Sequence, residues 1–169
     1  VTLIALRILH IVTGVFWAGA VFFIVSFLLP TFKAVGPDAG KVFAELRRRN
    51  MFNWIPAIAL VTIITGLWMY MLRMGTAANW AASREAMALG GGAVSAILAL
   101  LIGTFVMRAN TLKAADMAAA AMQMPAGAER DARMAEVQAM RTRAAMAART
   151  VATLLLISVV TMAMARYLV

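Results

Sequence analysis

Four stretches of the chain contain no Asp, Glu, Lys or Arg: residues 8–32, 50–72, 86–107 and 150–165. A hydrocarbon core about 30 Å thick takes about 20 helical residues to cross. The first three stretches reach that length alone. The fourth reaches it once Arg149 and Arg166 extend their charged ends to the two interfaces. The pattern predicts an all-α integral membrane protein: a four-helix bundle in a single transmembrane domain over 1–169, with spans at about 3–29, 53–73, 86–107 and 147–168.

Between the spans the pattern is also helical. Span 1 is expected to stop at Pro30, which cannot continue a helix without losing a hydrogen bond. Gly36-Pro37-Asp38 is turn chemistry. From Asp38 to Arg49 a short amphipathic helix is expected, with Val42, Phe43 and Leu46 on one face and Lys41, Glu45 and Arg49 at i, i+4 on the other. Asn53 is a candidate N-cap for span 2, with Pro56 in its first turn. Beyond span 3 an apolar stripe continues through Leu112, Ala115, Ala119 and Met122. Pro125-Ala126-Gly127 interrupts it, and a second stripe of Met134, Val137, Met140 and Ala144 leads into span 4. The expected result is a helical hairpin over about 108–146, extending from the bilayer.

Charge sets an expected orientation. The chain carries a net charge of +9, but its bases lie in the connections rather than on one accessible domain, which argues against nucleic acid as a partner. The 30–50 and 108–149 connections hold twelve of the 16 Lys and Arg residues; only Arg7, Arg73, Arg84 and Arg166 lie on the other side. The positive-inside rule then places both long connections, hairpin included, in the cytoplasm and both termini outside, as in a bacterial inner membrane. Arg47, Arg48 and Arg49 are candidate contacts for anionic lipid. A cleavable signal peptide is not expected, since its apolar region is shorter than span 1. The chain has no Cys, which removes disulfides, thiolate metal sites and iron–sulfur clusters from consideration. Trp54 fits one interfacial belt and Trp68, Tyr70, Trp80 and Tyr167 the other. Trp17 falls mid-bilayer, where its N–H needs a partner.

The single His, His10, lies at membrane depth. His10, Gly14 and Trp17 fall at i, i+4, i+7 and share one helix face. This segment, with Gly19, Phe22-Phe23 and Pro30 following, resembles the first span of two kinds of small four-helix membrane protein. One is the copper-resistance CopD type and the other the HemJ-type protoporphyrinogen oxidases. The resemblance covers about 25 residues of span 1. The HemJ-type likeness implies a b-type haem held by His10. That type also uses a Lys in a later span, and span 3 here has neither Lys nor His, so catalysis is not carried over.

Read from the residues alone, His10 is an interhelical hydrogen-bond donor, a haem ligand, or part of a copper or proton site. Span 3 has a ridge of small residues, Gly91, Ser95, Ala99 and Gly103, widened by Gly90, Gly92 and Ala96. Such a ridge lets helices approach closely, or leaves room for a flat cofactor. The expected cofactor-side residues are therefore His10, Gly14 and Trp17 of span 1, Thr65 and Trp68 of span 2, and Gly92 and Ser95 of span 3, with His10 the metal ligand. Val12-Thr13-Gly14-Val15-Phe16 also echoes Ile64-Thr65-Gly66-Leu67-Trp68, and the two glycines are expected to face each other.

The 14 Met residues, among them Met69, Met71, Met74, Met162 and Met164, suit Cu(I) but fit adaptable packing better. The expected function is a non-catalytic accessory subunit of a redox or energy-transducing membrane complex, with other membrane subunits as partners. The alternatives are a cofactor-free structural subunit and a copper-handling protein.

Overall fold

The computed structural model describes residues 2–75 and 79–168. The 76–78 part of the connection after span 2 lies outside the described residues. Among the described residues every regular element is helical: α1 (Thr2–Phe23), α2 (Leu29–Val35), α3 (Ala39–Arg48), α4 (Met51–Met74), α5 (Arg84–Leu101), α6 (Ala109–Met122) and α7 (Ala128–Ala165). Two π-helical segments, Ile24–Leu28 and Ile102–Arg108, join α1 to α2 and α5 to α6. The described residues therefore form four continuous helical rods: Thr2–Val35, Met51–Met74, Arg84–Met122 and Ala128–Ala165. All four are long and apolar enough to cross a membrane, and the protein is an integral membrane protein with four candidate spans.

The rods pack in cyclic order, α1 against α4, α4 against α5, α5 against α7 and α7 against α1. Their core is Trp17, Val21, Ala59, Ala96, Ala99, Val151 and Leu155. Small residues dominate it, as expected where lipid supplies no hydrophobic drive and close packing must hold helices together. Ser95 adds a buried hydroxyl that donates to Leu154 O at 2.8 Å. Large apolar side chains such as Phe16, Phe23, Leu60, Phe105 and Leu156 point outward, the reverse of a water-soluble bundle.

Pro30 does not end the first rod. The π turn over Ile24–Leu28 precedes it, with the Leu29 N–H reaching back to Ile24 O. A proline ring clashes with the carbonyl four residues earlier in an α-helix. The wider π turn relieves that clash, so the helix resumes through Leu29–Val35. Gly36 then breaks it at φ 66°, a conformation that favours glycine.

Span 2 begins two residues earlier than Asn53. Asn50, at φ 58°, ends α3 and starts α4; Asn tolerates this left-handed conformation. Pro56 therefore lies inside α4 and cannot bond the Phe52 carbonyl. Arg108 supplies the missing donor, its Nε reaching Phe52 O at 2.8 Å and its Nη2 reaching Asn53 Oδ1 at 2.6 Å. One arginine thus ties the end of the second π segment to the start of α4.

The end of the bundle carrying α3, Asn50 and Arg108 is its basic end. Here α6 packs along the first part of α7. Val137 and Ala144 of the α7 stripe are buried as expected, but on α6 the buried residues are Ala114 and Ala121. Ala119 is exposed, and Met122 is 64% exposed with its sulfur near Arg130 Nη2. On an alanine-rich helix the apolar pattern picks out Leu and Met, whereas a close contact selects the smallest side chains.

At the opposite end Ser83 caps α5, its Oγ accepting the Ala86 N–H at 3.1 Å. Trp80 is buried here rather than splayed at an interface. Its indole N–H donates to Glu85 Oε2 at 2.7 Å, and its ring meets Tyr70 edge-on at 5.1 Å.

Candidate functional site

His10 is held in the seam between α1 and α4. Its Nδ1 lies 2.8 Å from Thr62 O. A carbonyl only accepts, so Nδ1 carries the proton and donates. In a neutral ring that leaves the lone pair on Nε2. The Thr65 hydroxyl lies 3.5 Å from Nδ1 and donates to Val61 O at 2.7 Å. Among the described residues Nε2 has no hydrogen-bond partner, and His10 is half-buried.

The ring has room because position 66 is glycine. A Cβ there would stand 2.7 Å from His10 Cε1 and 3.0 Å from Nδ1. One turn further along the seam the roles reverse: Gly14 faces Thr62, and a Cβ on it would meet Thr62 Cγ2 at 3.3 Å. The Thr62 hydroxyl donates to Thr13 Oγ1 at 2.8 Å, and Thr13 in turn donates to Leu9 O at 2.7 Å. Deeper in, Trp17 and Ala59 share the core. The seam is therefore a ladder in which each bulky or polar side chain faces a small one: His10 with Gly66, Thr62 with Gly14, Trp17 with Ala59. The echo between the two glycine segments comes from this mutual fit.

Of the expected site residues, the structure brings His10, Gly14, Trp17 and Thr65 to one seam. Trp68 is 50% exposed on α4. Gly92 and Ser95 belong to the α5–α7 seam. A Cβ on Gly92 would meet Thr161 Oγ1 at 2.7 Å and Met162 Cγ at 3.0 Å, so no slot for a flat cofactor opens beside it. The physical reason is the cyclic order, in which α1 and α5 stand diagonally and α5 gives its small face to α7. The small ridge itself runs through Gly92, Ser95, Ala96, Ala99 and Gly103, while a Cβ on Gly91 would meet nothing. Trp17 is buried in the core, and its indole N–H has no hydrogen-bond partner among the described residues.

Thr62 and Gly66 hold His10 in place, and neither stood among the expected site residues. Their signal was present: aligning Gly14 and Gly66 as antiparallel neighbours of one seam puts Thr62 one turn from Gly66, within reach of the His10 face.

The chemistry this arrangement offers is that of one oriented imidazole. A hydrogen bond from Nδ1 to a backbone carbonyl is the usual support of a His that ligates through Nε2, since it fixes the ring and raises its basicity. The donor set offers one nitrogen, His10 Nε2. Among the described residues no group of three or more His, Cys, Asp or Glu side chains comes together to hold a metal ion. No family model matches the chain, and neither a curated protein nor a solved structure matches it.

Proposed function

We propose that the chain is a non-catalytic membrane subunit of a redox or energy-transducing complex, and that His10 would hold a b-type haem. The observation that carries this reading is the His10 ring itself. One nitrogen is committed to Thr62 O at 2.8 Å, and the other has no hydrogen-bond partner among the described residues. An ionisable residue at membrane depth is a functional candidate by default, and here its orientation is fixed by a neighbouring helix rather than by chance packing. When bound, the haem supplies electron transfer; His10 supplies ligation, and Thr62 and Gly66 hold the imidazole in place.

The membrane orientation belongs to the same reading. The basic end faces the cytoplasm of a bacterial inner membrane, both termini face outside, and the 108–146 region extends from the bilayer as a hairpin. In support, α7 has 38 residues. At 1.5 Å per residue that is about 57 Å, nearly twice the hydrocarbon thickness.

The test is a visible spectrum of protein purified in mild detergent, before and after adding haem. A Soret band that His10→Ala abolishes is the expected result. A folded, colourless preparation that takes up no haem overturns the cofactor. The second reading is a cofactor-free structural subunit, favoured by the Nδ1 bond, which already gives His10 an interhelical role. In that case His10→Ala lowers thermal stability and changes no spectrum.

A further inference from the structure

The basic end carries a groove that His10 does not use. Its volume is about 350 Å³, within the range of ligand sites. One wall is a stripe of α1 and its π segment that includes Phe16, Ala20 and Leu28. The thirteen residues from Phe16 to Leu28 rise about 18 Å along a helix, close to the half-thickness of about 15 Å that one leaflet's acyl chains occupy. Trp54 of α4 forms the other wall, and Leu46 and Arg49 close the basic end. Among the described residues Arg49 is the only charged one lining the groove.

Charge at that end is unbalanced. The Glu45 carboxylate accepts from Arg48 Nε and Nη2 and from Arg49 Nε, all at 2.8 Å. Arg47 is matched by Asp116 on α6. One carboxylate thus serves two guanidinium groups, and one positive charge is left at the mouth of the groove. The Arg49 side chain is 71% exposed there. Trp54, 62% exposed beside it, is the kind of side chain that sits at headgroup level.

We propose that this groove binds one anionic phospholipid, its phosphate on Arg49 and one acyl chain against Phe16, Ala20 and Leu28. The proposal rests on the membrane location of the chain and is independent of the haem reading. The whole protein, stripped of lipid in detergent, is offered equimolar phosphatidylglycerol and phosphatidylcholine and read by native mass spectrometry. One retained phosphatidylglycerol is expected, favoured about fivefold, the effect of one cationic side chain near an anionic lipid. Arg49→Gln should bring the two lipids to parity. Ala20→Phe should fill the groove and reduce retention of both.

A second measurement uses the unaltered groove. Phosphatidylglycerol with brominated acyl chains should quench Trp54, read as the difference from Trp54→Phe, more than brominated phosphatidylcholine does. Equal retention of the two lipids by the unaltered protein, undiminished retention by folded Ala20→Phe, or equal quenching would each overturn the site.

Discussion

Single atoms decide how closely these helices approach, and the glycines show it best. Gly66 and Gly92 each leave less than ordinary van der Waals room for a Cβ, against His10 and Thr161 respectively, whereas Gly91 faces open space. Gly66→Ala and Gly92→Ala should each destabilise the folded protein by about 1–3 kcal/mol, the cost of overpacking a filled site. Gly91→Ala should leave stability unchanged or raise it by up to about 1 kcal/mol through helix propensity. Thermal unfolding in one detergent compares all three; equal effects at 91 and 92 would disprove the assigned face. Gly66→Ala should in addition push the His10 ring off Thr62 O, visible as a changed imidazole NMR signal.

Arg108 presents a second case at this scale. It satisfies the Phe52 carbonyl that Pro56 leaves free. Arg108→Ala should cost about 1 kcal/mol, the low end of the penalty for an unpartnered acceptor, since this one is part-buried. Replacing Pro56 by Ala in that background returns an N–H to the same carbonyl, so the double variant should recover part of the loss. A cost for the pair equal to the sum of the singles would show that the two residues act independently.

At the scale of elements, what was legible in the sequence was whatever depends on local composition. Uncharged length located all four rods, and the Pro125–Gly127 break fell between α6 and α7 as expected. What failed depended on partners. Pro30 is accommodated by a π turn that no propensity encodes. The small ridge kept Ser95, Ala99 and Gly103, but at its start Gly92 and not Gly91 makes the contact, because three consecutive glycines give the pattern no phase there. The candidate site was half legible for the same reason. The His10–Gly14–Trp17 face follows from helix periodicity, but its partners on α4 depend on the order of the rods around the bundle.

The α6 register gives a test. Ala114→Leu and Ala121→Leu should weaken the α6–α7 contact, while Ala119→Leu, on the exposed side, should not. Proteolysis within 109–127 would report the difference, and equal sensitivity of all three variants would return the buried face to the Leu112–Met122 stripe.

The short helix α3 should respond to pH. Arg48 and then Arg49 hold the Glu45 carboxyl below its ordinary value of 4.5 by hydrogen bonding. A depressed carboxylate contributes stability that is present above its unfolded value and is lost as pH falls through the folded one. Helicity of α3 should therefore hold at neutral pH and decline only in acid below about 4.5. Glu45→Gln should remove that dependence, as followed by circular dichroism of the difference between the two proteins.

For the whole molecule, the distribution of charge and the positions of the helix ends bear on one question, orientation. Twelve of 16 bases lie in the two long connections, and the structure gathers α3 and α6 at one end through the Arg47–Asp116 ion pair. A bundle with this asymmetry should insert with that end in the cytoplasm. The chain has no Cys, so single cysteines report without background. Gly127, between α6 and α7, and Ala81, between α4 and α5, are both exposed and stand at opposite ends of the bundle. In intact cells an impermeant thiol reagent should label Ala81→Cys and leave Gly127→Cys unlabelled until the membrane is opened. The reverse pattern would invert the protein. Labelling of both in intact cells would remove one crossing and with it the four-span reading. Moving the charges supplies an internal control: replacing Arg47, Arg48 and Arg49 with Gln while adding bases around Ala81 should shift the labelling toward the inverted pattern, since the rule acts through these short flanking segments rather than through net charge.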